Sequence, residues 1–269
     1  MTISNRAKRL THVPPIGVDA MGARADAAAD PDILRLENLD TDLRPPRSAL
    51  EATSAAIHED DANSYLPFLG QADLRETIVA HVYRLSGIEY EAEAECIVTA
   101  GGLNGMMVTL NALIDPGDEV VVTDPTYIGM LNRIRIAGGE PVQVPFRWLA
   151  DAWQLDLDQL RASIGPKTRA LFIMNPSMPS GACLSDEAWA LIAELCCEHD
   201  LWLIYNAAME RILYDGRPYR HPAALDGMRE RTITIGSASK ELRMIGWRVG
   251  WVVGPADVMR EIGLVSISD

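Results

Sequence analysis

The sequence predicts an α/β fold with a mostly parallel, seven-stranded sheet carrying helices on both faces. Short runs rich in Val, Ile and Leu recur between longer amphipathic stretches, the alternation that builds such sheets. Several of these runs are apolar throughout rather than alternating, as strands covered on both faces are. The chain has 269 residues, 48% of them hydrophobic, enough to bury the core of one large domain.

Residues 1–46 are rich in Ala, Asp, Arg and Pro with weak periodicity, and are expected to form an arm or irregular segment ahead of a large domain over 47–269. Between Leu50 and Leu85 two helical patterns flank Asn63-Ser64-Tyr65-Leu66-Pro67, whose composition signals a loop. Strands are expected at Cys96 to Thr99, Glu119 to Thr123, Pro141 to Pro145, Ala170 to Met174, Leu201 to Tyr205, Thr232 to Ile235 and Val249 to Val253. Helices are expected at Leu103 to Leu113, Ile128 to Ile136, Asp186 to His199 and Pro255 to Leu264. Pro116-Gly117-Asp118 reads as a turn into the second strand, and Ser185 as an N-cap.

A formal charge of −14 argues against nucleic acid or an anionic membrane as partner, since both would repel the chain. The short basic run Arg6, Lys8, Arg9 has no apolar stretch behind it, and no run approaches the roughly 20 residues needed to span a bilayer. The expected location is cytoplasmic. Cys96, Cys183, Cys196 and Cys197 lack zinc spacing and disulfide density, and the five histidines do not cluster, so a metal site is unsupported.

The chemistry concentrates in Ser237-Ala238-Ser239-Lys240, followed by Gly246-Trp247-Arg248-Val249-Gly250. An amine, two hydroxyls and a guanidinium after a strand are the parts that hold a phosphorylated aldehyde: the amine forms an imine, and the others bind phosphate. Alone, Ser-x-Ser-Lys reads more readily as a solvated loop; its coupling to Gly-Trp-Arg-x-Gly is what points to the site. Thr99-Ala100-Gly101-Gly102-Leu103-Asn104 places two glycines between a strand and a helix, where backbone N–H groups can approach an anion, although a plain turn would look the same.

Together these segments resemble the class I/II aminotransferases, pyridoxal-phosphate enzymes of fold type I, and the matches run from about Asn38 to the last residue. The resemblance implies pyridoxal 5'-phosphate as cofactor, held as a Schiff base by Lys240, and transfer of an amino group between an amino acid and a 2-oxo acid. It implies a phosphate site made by Gly101, Gly102, Leu103, Ser237, Ser239 and Arg248. Tyr127, in Asp124-Pro125-Thr126-Tyr127, would stack on the pyridine ring. Tyr65 is similar to the family tyrosine that reaches the phosphate in the neighbouring subunit, which implies a homodimer. Arg75, nearby, reads as a structural helix residue.

Three departures surround the ring. The family's Asn-Pro-x-Asn-Pro-Thr-Gly is Asn175-Pro176-Ser177-Met178-Pro179-Ser180-Gly181 here, and its Asp-Glu-x-Tyr is Asn206-Ala207-Ala208-Met209. Asn206 therefore takes the place of the aspartate at the pyridine nitrogen, while Met178 and Met209 replace two donors to the phenolic oxygen. An amide orients the ring without the charge that keeps its nitrogen protonated, leaving a weaker electron sink. Leu39-Asp40-Thr41-Asp42 corresponds to a family Gly-Glu-Pro-Asp stretch, and Leu39 would crowd the substrate. The sequence ends at Ser268-Asp269, where the helix into a small C-terminal domain would begin, so that domain and its substrate-carboxylate arginine are expected to be largely absent. Two alternatives stand beside transamination: a pyridoxal-phosphate enzyme of altered reaction type (lyase, racemase or oxidase-like), and a cofactor-binding protein that has lost turnover.

Overall fold

In the computed structural model, which describes residues 7–37 and 42–268, the apolar runs come together as one sheet. Arg6, Asn38, Leu39, Asp40, Thr41 and Asp269, which enter the sequence reading, lie outside those residues. The strands are β1 (Cys96–Thr99), β2 (Glu119–Asp124), β3 (Glu140–Leu149), β4 (Ala152–Leu155), β5 (Thr168–Met174), β6 (Trp202–Asn206), β7 (Thr232–Ser237) and β8 (Gly250–Val253). They lie in the order β1-β8-β7-β6-β5-β2-β3-β4. Pairs β2–β3, β2–β5, β5–β6 and β6–β7 are parallel, whereas β1–β8, β7–β8 and β3–β4 are antiparallel. The helices are α1 (Val18–Ala28), α2 (Arg47–Ala56), α3 (Ala72–Ser86), α4 (Gly102–Leu113), α5 (Ile128–Ala137), α6 (Leu157–Ala162), α7 (Asp186–Glu198) and α8 (Ala256–Ser268). No described helix is long and apolar enough to cross a membrane.

The seven expected strands are present, and the sheet has an eighth. Pro145 reads as a strand end in the sequence, yet β3 leaves β2 there and continues to Leu149, paired antiparallel with β4. Proline offers no N–H to a ladder, which suits a residue where pairing changes partner. The hairpin escapes turn-residue reading because Ala150 and Asp151 take left-handed backbone (φ 48° and 59°) without the glycine or asparagine that usually marks it. Two helices also go beyond the sequence expectation. Helix α1 lies in the segment expected to be irregular and buries no residue. Helix α6 is a short helix capped by Asp156, whose carboxylate accepts the Gln159 N–H at 3.0 Å.

Side chains alternate across a strand, and here both sets are buried. Val120, Val122, Phe172, Met174, Ile204 and Ile235 pack with Met106 and Leu110 of α4, Met130 and Ile134 of α5 and Ile262 of α8. Val121, Leu171, Ile173, Leu203 and Tyr205 pack on the other face with Leu160 of α6 and Trp189, Ile192 and Leu195 of α7. A third cluster joins Ile78 and Val82 of α3 to Trp251 and Val253. Each fully buried Leu, Ile or Phe contributes about 1.5–3 kcal/mol, so these layers fix the sheet against both helix sets. Because β1 and β7 both pair antiparallel with β8, β1 runs with the parallel strands. The carboxyl ends of β1, β2, β5, β6 and β7 consequently share one edge, where β8 begins. Ligand sites of open α/β sheets lie at this edge.

Candidate active site

At the end of β1 the chain turns into α4 through Ala100 and Gly101. The Gly101 N–H donates to the Thr99 carbonyl at 2.7 Å, and the Thr99 hydroxyl donates back to the Gly101 carbonyl at 3.1 Å. Gly101 has φ +81°, a conformation open to glycine. A Cβ there would stand 3.0 Å from Arg248 Cζ, and one on Gly250 would stand 2.8 Å from Gly101 Cα. A Cβ on Gly102 would lie 3.4 Å from both Ser237 Cβ and the Gly236 carbonyl oxygen. The amino end of α4, the Arg248 guanidinium and the end of β7 therefore approach closely, with bare glycine backbone on the α4 side. N–H groups in the first turn of a helix have no partner within it, which makes those of Gly102 and Leu103 donors for an anion.

Ser237 is the last residue of β7. Its hydroxyl lies 2.9 Å from Ser239 Oγ and accepts the Ser239 N–H at 3.1 Å; both side chains are buried. Lys240 follows, half-buried, in a turn closed by the Arg243 N–H to the Lys240 carbonyl and the Met244 N–H to the Ala238 carbonyl, both at 3.1 Å. Arg248 sits in left-handed backbone (φ 55°) with an exposed side chain that donates to the Ile245 carbonyl at 2.9 Å. The Trp247 indole donates to the Thr53 hydroxyl at 2.7 Å, tying this loop to α2.

Asn206 ends β6 in register with Ile235, two residues before Ser237, and is 2% exposed. Its Oδ1 accepts the Ala208 N–H at 3.1 Å. That bond fixes which way the amide faces and leaves its NH2 as the donor not committed to the turn. Met178, Met209, Tyr127 and Leu103 all pack against the core cluster shared by α4 and α5. Tyr127 folds over the start of α5, where a Cβ on Gly129 would stand 2.8 Å from its Oη.

Arg133, which sequence reading did not single out, links this group together. It donates to the Leu103 carbonyl at 3.0 Å and the Gly129 carbonyl at 2.9 Å. Burial lowers its pKa, and the Tyr127 contact opposes that effect. The available signal was a cation inside a largely apolar helical run.

A second missed group lies behind the Asn206 and Lys240 turns. Glu210, 5% exposed, accepts the Tyr219 hydroxyl and lies 3.7 Å from His81 Nε2 of α3. Tyr205, wholly buried, donates to the Asn175 carbonyl at 3.1 Å. Burial raises the pKa of both tyrosines, so they stay protonated donors. His221 Nδ1 accepts the Ala223 N–H at 3.2 Å, and burial lowers the imidazole pKa to about 4, so the ring is neutral at pH 7. Glu241 accepts the Arg211 N–H at 2.8 Å; burial raises its pKa and that bond opposes the rise.

Tyr65 stands apart from all of these, 104% exposed on its loop. Arg75 donates to the Ala92 and Glu93 carbonyls, both at 3.1 Å, and so holds the chain leading to β1. A cavity of about 760 Å³ lies between the β3–β4 hairpin and α7, lined by Trp148, Trp153, Trp189 and Asn175 among others. None of the residues expected to hold the cofactor lines it.

Comparison with known proteins bears on the family and the fold. The family model for aminotransferase class I and II matches residues 33–266. The chain is 36% identical over 225 residues to arginine--pyruvate transaminase AruH of Pseudomonas aeruginosa, covering 84% of this chain and 56% of that protein. It is 33% identical over 248 residues to human kynurenine--oxoglutarate transaminase 1, covering 88% of this chain and 59% of that protein. The solved structure of N-succinyldiaminopimelate aminotransferase from Mycobacterium tuberculosis superimposes with a TM-score of 0.91 at 32% identity, over 97% of this chain and 67% of that one. The aspartate aminotransferase of Thermus thermophilus with maleate gives 0.90 at 30% identity, over 99% and 69%. The chain spans little more than half the length of the curated relatives it matches. The match over most of the chain, in sequence and in structure, shows that it belongs to the aminotransferase class I and II family.

Proposed function

We propose that the protein transfers an amino group between an amino acid and a 2-oxo acid, using pyridoxal 5'-phosphate held covalently by Lys240. The observation that carries this reading is the convergence, at the carboxyl edge of the sheet, of Gly101, Gly102, Ser237 and Arg248 with the turn of Lys240. The cradle fits a phosphate: a Cβ at Gly101 would meet the guanidinium, the two serine hydroxyls are buried beside it, and the start of α4 offers N–H donors. Bound there, the cofactor supplies an electron sink for charge at the substrate α-carbon. Tyr127 and Leu103 would flank the ring, with Asn206 donating its amide to the ring nitrogen. Lys240 Nζ, once displaced by the incoming amine, would carry a proton to or from the α-carbon.

Two further parts belong to this reading. Tyr65, uncovered within the chain, is proposed to reach the phosphate of a second copy in a homodimer, with 1–46 as an arm on the large domain at 47–269. Cytoplasmic location fits the four free cysteines, since thiols persist in reducing compartments. A second reading keeps the cofactor but changes the reaction, or loses turnover; Asn206, Met178 and Met209 around the ring favour it. Incubating the full-length protein with a panel of amino acids and measuring pyridoxamine phosphate by mass spectrometry separates the two. Accumulation with at least one amino acid supports transamination, and none with any of them transfers the weight to the second reading.

A further inference from the structure

Two neighbouring turns would hold opposite ends of the cofactor: the Asn206 turn its ring nitrogen, and the Lys240 turn its aldehyde carbon. Inside the sheet their spacing is set by the β6–β7 ladder, which ends at Asn206 and Ile235, with the Ala207 N–H to the Ile235 carbonyl at 2.9 Å as its last rung. Beyond that rung, Glu241 reaches across. Its Oε1 accepts the Arg211 N–H at 2.8 Å, and its Oε2 lies 3.8 Å from Arg211 Nη1. Its side chain is 13% exposed, against 56% for Arg211, so the bond to the backbone is the sheltered part of the contact. Each turn is itself closed by local bonds: the Glu210 N–H to the Ala207 carbonyl and the Ile212 N–H to the Met209 carbonyl on one side, the Arg243 N–H to the Lys240 carbonyl on the other. Movement at Arg211 or Glu241 is thereby passed to Asn206 or Lys240.

The methionines make such a link matter. Met178 and Met209 carry no N–H or O–H donor, so the side of the ring they face gains packing but no directional bonds. A backbone bond across the two turns can supply the missing constraint.

We propose that Glu241 is a positioning residue that, by accepting the Arg211 N–H, holds the Lys240 turn against the Asn206 turn and sets the angle at which the ring meets the lysine. The proposal rests on Lys240 and Asn206 holding the cofactor as read above. Glu241→Ala removes the acceptor, whereas Glu241→Gln keeps an oxygen for the same N–H and removes the charge.

The test uses the full-length protein and both variants. Without cofactor, hydrogen exchange over 206–214 and 238–244 should quicken in Glu241→Ala and stay close to the unmutated protein in Glu241→Gln. With pyridoxal phosphate at saturation, Glu241→Ala should show a changed visible circular dichroism per bound cofactor and roughly five- to tenfold weaker affinity, with Glu241→Gln restoring both. Unchanged exchange and dichroism in Glu241→Ala would overturn the proposal, as would a Glu241→Gln protein that behaves like Glu241→Ala. Borohydride labelling in the unmutated protein reports separately on Lys240, and the cofactor-free exchange decides the clasp whichever lysine is labelled.

Discussion

The Arg248 guanidinium occupies the space that a side chain on Gly101 would need, with Cζ 3.0 Å from the position of that absent Cβ. An arginine late in the chain and a glycine after the first strand thus form one wall of the proposed phosphate site. Arg248→Ala should weaken pyridoxal phosphate binding by roughly ten- to a hundredfold, the loss expected for charge-assisted bonds. Gly101→Ala should weaken it as well, because the new methyl displaces the guanidinium and φ +81° strains any L side chain. Titration calorimetry on both variants checks this; unchanged affinity in Arg248→Ala removes that residue from the site.

Asn206→Asp should protonate the ring nitrogen. With Oδ1 engaged by the Ala208 N–H, the wild-type residue offers the ring an uncharged amide. A carboxylate in its place pairs with the pyridinium, and each pKa unit gained corresponds to about 1.36 kcal/mol. Nitrogen-15 spectra of labelled cofactor at neutral pH should show a neutral ring nitrogen in the unmutated protein and a protonated one in the variant. A nitrogen already protonated in the unmutated protein contradicts the account.

His221 should make the protein sensitive to mild acid. Its pKa is lowered from 6.5 to about 4 by burial, so between those values the unfolded chain binds a proton that the folded one does not. Stability from this group is therefore full above pH 6.5 and is lost as pH falls toward 4. Between pH 7 and 4.5 the loss amounts to about 2–3 kcal/mol. Urea unfolding at the two pH values should show a smaller drop, by that amount, in His221→Asn, which keeps an acceptor for the Ala223 N–H.

Tyr65→Phe tests the proposed exchange between subunits. The hydroxyl is the part assigned to the partner's phosphate, so its removal should weaken cofactor binding several-fold, about 1 kcal/mol for one hydrogen bond, without altering the sedimentation coefficient. Full cofactor affinity in a protein that sediments as a monomer would rule the assignment out.

Contiguity explains what could be read in advance. Ser237 to Gly250 carries a lysine, two serines and two arginines within one strand-turn-strand unit, and Gly101-Gly102 marks a glycine pair between a strand and a helix, so each reading could be made from one short segment. The seven expected strands were legible because each buries an apolar run. The β3–β4 hairpin was not, since Ala150 and Asp151 adopt left-handed backbone without a glycine or asparagine, and α1 was not, since it buries nothing. The polar group of His81, Glu210 and Tyr219 was equally hidden: its members are spread over α3 and two later loop segments, and only folding brings them together. Arg133 is the same case at shorter range, an ordinary helix cation until Leu103 and Tyr127 are placed beside it.

The central claim is that Lys240 holds the cofactor, and lysine is scarce enough here for a clean test. The chain has three lysines, Lys8, Lys167 and Lys240. Lys167 is exposed just before β5, at the amino edge of the sheet and away from the site, with its carbonyl bonded to the Glu119 N–H at 2.8 Å. Lys8 is exposed in the one-turn 3-10 helix Lys8–His12. Borohydride reduction of the full-length protein with pyridoxal phosphate, followed by peptide mapping, should place the label stoichiometrically on Lys240 and abolish it in Lys240→Ala. Stoichiometric label on Lys8, Lys167 or a lysine outside this chain would contradict the account.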